Sequence, residues 1–199
     1  MPFPYYRRLS LKNRAVYRRS DAVTSVKVPH PEALAAPAAE LRAALDGEGR
    51  PAARRRRVAE AVDALLRLLC RALRVEPVEV SVGARRPRSA RGELHALYVL
   101  PAQGRPRIEI WMQTARRRRV VAFRTFFRTL MHELCHHLDY RLLGLPESFH
   151  TEGFFRRESS LVRQILGRDE KPVKAKPAPR PVKKAAPSQM ELPFPGRRT

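Results

Sequence analysis

The chain is poor in cysteine, with two residues in 199, Cys70 and Cys135. Two isolated thiols exclude a disulfide framework and also a CxxC zinc ribbon, which needs cysteine pairs at close spacing. Acidic residues are scarce as well, 19 against 41 lysines and arginines, leaving a formal charge of +22. No apolar run approaches the ~18 residues of a membrane-spanning helix. The basic N-terminus, MPFPYYRRLSLKNRAVYRRSD, lacks the apolar stretch of a secretory signal. These absences lead us to expect a cytoplasmic, nucleoid-associated chain with no membrane partner.

What is present begins with that charge. Arginine outnumbers lysine and alanine and proline are abundant, a compositional bias that accounts for Arg over Lys but not for the shortage of acids. The excess is spread over the body of the chain and both ends. Such a field attracts polyanions, of which nucleic acid is the commonest in the cytoplasm. We therefore expect sequence-tolerant, electrostatic contact with DNA.

The length suits one domain with tails. Residues 1–30 read as a basic arm with interleaved Phe3, Tyr5, Tyr6 and Tyr17 and no clear period. Residues 31–74 read as a helical region: an Ala/Leu-rich helix from Pro31 to about Asp46, then a second from Pro51 to about Leu73. The second carries an apolar stripe of Val58, Val62, Leu65, Leu69 and Leu73 at spacings of three and four. Residues 75–167 read as the core. Val78, Val80 and Val82 alternate as a strand, GARRPRSARG follows as a basic loop, and residues 93–100 and 107–112 form a hairpin across PAQGRP, with Trp111 and Met112 in its core. A long helix is expected from about Arg117 to Leu143, ended by Gly144 and Pro146, and a last one from about Thr151 to Leu166. Residues 168–199 hold seven prolines and nine basic residues and read as a disordered tail.

Within the long helix lies RTLMHELCHHLDY. His132 and His136 stand four residues apart, ~40° round the helix, so both imidazoles reach one point from one face. Neutral imidazole is a good zinc ligand, and a catalytic site wants three protein ligands plus water. Glu133 points ~100° away from His132; it is badly placed to ligate, but it can lean over a water held by the metal and take its proton. The third ligand is left between His150, Glu158, Glu152 and His95, with His150 favoured. The chain can turn at Gly144-Leu145-Pro146 after the motif helix and bring His150 back at the start of the next helix.

HELCH, a short connection and then HTEGF resemble the SprT-like zinc metallopeptidases, whose pattern is HExxH, a linker, and a His with a Phe four residues on. His132, Glu133, His136, His150 and Phe154 match position by position, and the resemblance spans about residues 75–167. It implies a small α+β zincin-like domain, with a short sheet packed on the motif helix. It also implies zinc held by His132, His136 and His150, and proteolysis of DNA-associated proteins with Glu133 as the base. The position after the third His is usually Gly in that family and is Thr151 here, and residues 31–74 have no counterpart that we can align.

Neighbouring residues read more plainly. His137 is expected at the surface or behind a ligand, Asp139 as a solvated charge or a ligand-orienting group, and Cys135 as a small buried residue. Arg54–Arg57 and Arg116–Arg119 are each placed at a helix start, where arginine opposes the dipole unless a phosphate compensates it. Arg85, Arg86, Arg88 and Arg91 of the basic loop are the expected nucleic-acid contacts. In the tail, SQMELPFPG resembles the short motif by which bacterial replication and repair proteins dock on the sliding clamp, with Gln189, Leu192 and Phe194 as its anchors. The competing function is a nucleic-acid-binding or regulatory protein on a zincin-like fold without peptidase activity. Glu133 argues against it, because a structural metal site needs no base beside its ligands.

Overall fold

In the computed structural model, which describes residues 3–89 and 92–167, a 3-10 turn over Pro4–Arg8 leads into helix α1, Leu11–Ala22. The N-terminal residues are thus not the aperiodic arm expected. Ser10 caps α1 by accepting a hydrogen bond from the Asn13 N–H at 3.2 Å, and α1 buries Val16, Tyr17 and Ser20. So short an apolar stripe on a strongly basic helix leaves little periodicity to read.

A second 3-10 turn, Pro31–Leu34, precedes α2, Ala35–Asp46, and α3 spans Pro51–Leu73. The stripe of α3 is buried as expected, joined by Leu66 and Cys70. The strands are β1 (Glu79–Arg85), β2 (Arg88–Ser89), β3 (Gly92–Glu93), β4 (Ala96–Val99) and β5 (Arg107–Gln113). The supposed basic loop is therefore partly a two-stranded ribbon, β2 against β3. β5 is the centre of the main sheet, parallel to β1 and antiparallel to β4, so β4 forms an edge.

Alternation along β5 sends Ile108, Ile110 and Met112 into the core. Trp111 consequently lies on the other face and is not core. It sits opposite Gly83 in the parallel register, so close that a Cβ there would fall 2.2 Å from the indole Cδ1. Helix α4 covers Phe123–Arg141, starting about one and a half turns later than expected. Val120 and Val121 are claimed by the sheet instead: Val120 bridges to Gln113, and the Val121 N–H donates to the Met112 carbonyl at 2.7 Å. Arg116–Arg119 therefore form a turn, not a helix start.

Helix α5 runs from Glu152 to Leu166 with Thr151 as its N-cap. The result is a mixed α+β fold whose hydrophobic core draws on residues from Val26 to Ile165, uniting the helical region with the motif-bearing part. Among the described residues no helix is long and apolar enough to cross a membrane. Arg91 and the tail, with Gln189, Leu192 and Phe194, lie outside the described residues.

Candidate metal centre

Helix α4 must serve two faces. Phe126, Phe127, Leu130, Leu134 and Leu138 fill the core, which leaves His132 and His136 on the flank that meets α5 and the connection before it. His150 comes from that connection. Its Nε2 lies 3.0 Å from Nε2 of His132 and 3.1 Å from Nε2 of His136. Those three histidines form a group close enough to hold one metal ion. His132 and His136 are half-buried and His150 is exposed, so the group opens to solvent.

The tautomers follow from the far sides of the rings. His132 Nδ1 donates to Glu158 Oε2 at 2.9 Å. The Ser148 hydroxyl spends its proton on Asp139 Oδ2 at 2.7 Å, so its oxygen accepts from His136 Nδ1, also at 2.7 Å. With protons fixed on both Nδ1 atoms, both Nε2 atoms present lone pairs to the same place. Burial, reinforced by the neighbouring histidines, lowers His136 to about 3 and His150 to about 4, so both are neutral at pH 7. Phe154 packs beneath, with ring centroids 4.9, 4.8 and 5.1 Å from those of His132, His136 and His150.

Glu158 stands outside the three-histidine group. Its other oxygen, Oε1, pairs with Arg128 Nε at 2.6 Å, and the residue is buried, so one oxygen meets the far side of His132 and the other an arginine. Glu152 is exposed and paired with Arg156 on the outside of α5, and His95 is on the strand side, outside the group. His137 lies outside the three-histidine group and away from the surface. It is fully buried, donating from Nε2 to the Glu76 carbonyl at 2.7 Å and accepting at Nδ1 from the Tyr98 hydroxyl at 3.2 Å. Cys135 is buried as expected. Thr151, where the resembled family has glycine, accepts from the Phe154 N–H at 2.9 Å and thereby caps α5.

Glu133 is nearly buried, and the backbone N–H of Tyr98 donates to its carboxylate. Burial pushes its pKa up; the adjacent His132 and that N–H pull it back. A buried carboxylate fixed by one donor and facing an edge strand has the features of a general base.

Several supporting residues escaped the sequence reading. Arg157 is fully buried: it donates to the Ser20 carbonyl at 2.5 Å, to the Val23 carbonyl, to Ser20 Oγ at 3.0 Å and to Asp139 Oδ1 at 2.6 Å. Asp139 therefore reaches His136 through Ser148 and is itself neutralised by Arg157. Tyr5 donates its hydroxyl to the His150 carbonyl at 2.9 Å, and Tyr17 packs on Phe149 at 6.2 Å. One signal was available: Arg157 falls between Phe154 and Leu161 on the apolar side of α5, where an arginine implies a buried partner. Of the expected nucleic-acid contacts, Arg85 and Arg88 are exposed, whereas Arg86 is buried 3.7 Å from Glu93. Its alternation on the chain turns it inward, so it is not a surface contact.

No family model, curated protein or solved structure matches this chain.

Proposed function

We propose that the protein is a zinc-dependent metallopeptidase of the SprT-like kind, acting on proteins associated with DNA. One observation carries the reading: three imidazoles converge through their Nε2 atoms beside a buried glutamate that stands outside their group. An all-imidazole donor set suits zinc, and His132, His136 and His150 would hold it. A bound zinc ion supplies the Lewis acidity that activates water and polarises a carbonyl.

The remaining chemistry belongs to the chain. Glu133 takes a proton from the attacking water and returns it to the departing amine, a task helped by a pKa raised through burial. Tyr98 ties Glu133 to β4, the edge of the sheet. An extended peptide adding to that edge would therefore lie beside the base. Glu158 and the Ser148–Asp139 pair hold His132 and His136 in the ligating tautomer. The net charge of +22 supports a DNA-bound setting.

The test combines metal analysis with turnover. We expect close to one zinc per chain, lost in His132→Ala and His136→Ala and weakened far more by His150→Ala than by Glu158→Ala. Glu133→Gln keeps the metal and loses turnover. A His132→Ala protein with full zinc content would overturn the assignment. Tight DNA binding without peptidase activity in the zinc-loaded wild type would favour the regulatory alternative.

A further inference from the structure

The two arginine groups of the middle of the chain, 30 residues apart in sequence, meet at one end of the sheet. β1 and β5 are parallel and end together, Arg85 opposite Gln113. The β2–β3 ribbon leaves β1 at that point, and the Arg116–Arg119 turn leaves β5 there. The ribbon and turn are joined directly, because the Ala115 N–H donates to Glu93 Oε2 at 3.3 Å and the Arg86 N–H to the Gln113 carbonyl at 3.0 Å. The turn is closed by the Thr114 N–H on the Arg119 carbonyl at 3.0 Å, with Arg118 in a left-handed conformation at φ 50°.

Charge at this end is unbalanced for a structural reason. Glu93 is the one acid in residues 83–95 and 111–121, and it is spent inside, on Arg86 and on the Ala115 N–H. Arg85, Arg88, Arg116, Arg117, Arg118 and Arg119 are all exposed, and among the described residues none makes an ion pair. We propose that this end of the sheet is the nucleic-acid interface, gripping the phosphate backbone of duplex DNA, with Arg86 as its buried strut. The inference deepens the DNA part of the proposed function and does not depend on the peptidase part.

Three features select that occupant. Consecutive arginines on a tight turn point in diverging directions, which suits several phosphates spaced along a polymer better than one small anion. Every cation in the patch is arginine, whose planar fork pairs with two phosphate oxygens at once. The one Phe, Tyr or Trp in residues 83–95 and 111–121, Trp111, is half-buried against Gly83, which leaves no exposed ring on which an unpaired base could stack, so this end reads backbone and not single strands. A membrane surface is the rival polyanion, but among the described residues of 83–95 and 111–121 Leu94 is the one exposed large apolar side chain, too little to sink into it.

The experiment is anisotropy titration of a labelled duplex of arbitrary sequence across a salt series. The turn variant carries Arg116→Gln, Arg117→Gln, Arg118→Asn and Arg119→Gln; a control carries Lys12→Gln, Arg19→Gln, Lys27→Gln and Arg71→Gln, the same loss of charge elsewhere. We expect the turn variant to lose affinity at least ~30-fold at ~0.1 M salt and its log–log salt slope to fall by about 3, the control losing under about threefold. A double variant, Arg116→Gln with Arg117→Gln, leaves the left-handed Arg118 untouched and should show about half that slope change should the larger variant misfold. Zinc content is read in parallel and stays at the wild-type value, which separates this inference from the metal assignment. Equal losses in turn variant and control, absence of duplex binding by the wild type, or a variant effect seen only on phosphatidylserine vesicles would each overturn it.

Discussion

A histidine can ligate through Nε2 only when its proton sits on Nδ1, and here acceptors on other elements hold it there. Ser148 does this for His136, relaying the buried charge of Asp139. Ser148→Ala should therefore weaken zinc about tenfold or more in a chelator competition while leaving the circular dichroism unchanged. The three histidines themselves were legible, because an i, i+4 pair and a histidine beyond a Gly-Leu-Pro turn are local patterns. Their supports were not: Ser148 and Glu158 reach the imidazoles only once α5 has packed on α4, and no spacing encodes that. The thiols are a second test at this scale. Burial raises Cys70 from about 9 to about 11 and pushes Cys135 well up, so neither should react with a thiol reagent until the protein is unfolded. The folded state holds these protons more tightly than the unfolded one. Stability is thus intact below pH 9 and falls as pH rises from 9 towards 11, by about 2 kcal/mol for Cys70; Cys70→Ala should flatten that slope in urea titrations.

At the scale of elements, α1 turns out to be part of the candidate centre. Gly153 at the start of α5 lies so close to the end of α1 that a Cβ would fall 2.2 Å from the Asp21 carbonyl oxygen, while its N–H donates to Asp21 Oδ1 at 2.9 Å. Gly153→Ala should cost about 3 kcal/mol, or roughly 10 °C in Tm, since backbone and not a pliant side chain blocks it. Arg157 spans α1, α4 and α5, so Arg157→Met should cost about 3–5 kcal/mol by stranding the buried Asp139. Tyr5→Phe is the subtler change: it removes only the donor to the His150 carbonyl and should loosen zinc with little effect on Tm. The sequence made α2, α3, α5 and the β4–β5 hairpin readable, because each carries a clear apolar period or turn signal. It concealed α1, whose buried face is short, and misplaced the start of α4, where Val120 and Val121 could serve either helix or sheet until β5 was there to pair with them.

For the whole molecule the question is how a basic chain of this size would find proteins on DNA. The proposed interface at the arginine end of the sheet would provide contact, but phosphate contacts carry no information about where on the chromosome to act. The C-terminal sequence offers an address. Residues 168–199 carry nine basic residues and seven prolines, and then Met190, Leu192 and Phe194 gather apolar groups near the end. A composition that can bury little within its own chain can still fill a partner's groove. We propose that Gln189, Leu192 and Phe194 anchor this stretch on a bacterial sliding clamp. The gain would be one of effective concentration: a tethered peptidase would search only the DNA near its clamp, without any new contact on residues 3–167. A synthetic peptide covering residues 187–196 should bind the clamp with a Kd on the order of micromolar, about −8 kcal/mol. Replacing Gln189 and Leu192 by alanine should abolish that binding, and in the full chain should leave zinc content, duplex affinity and turnover unchanged. Equal binding by the two peptides in a calorimetric titration, or binding by neither, would reduce the stretch to a basic tether and return the search for sites to the arginine end alone.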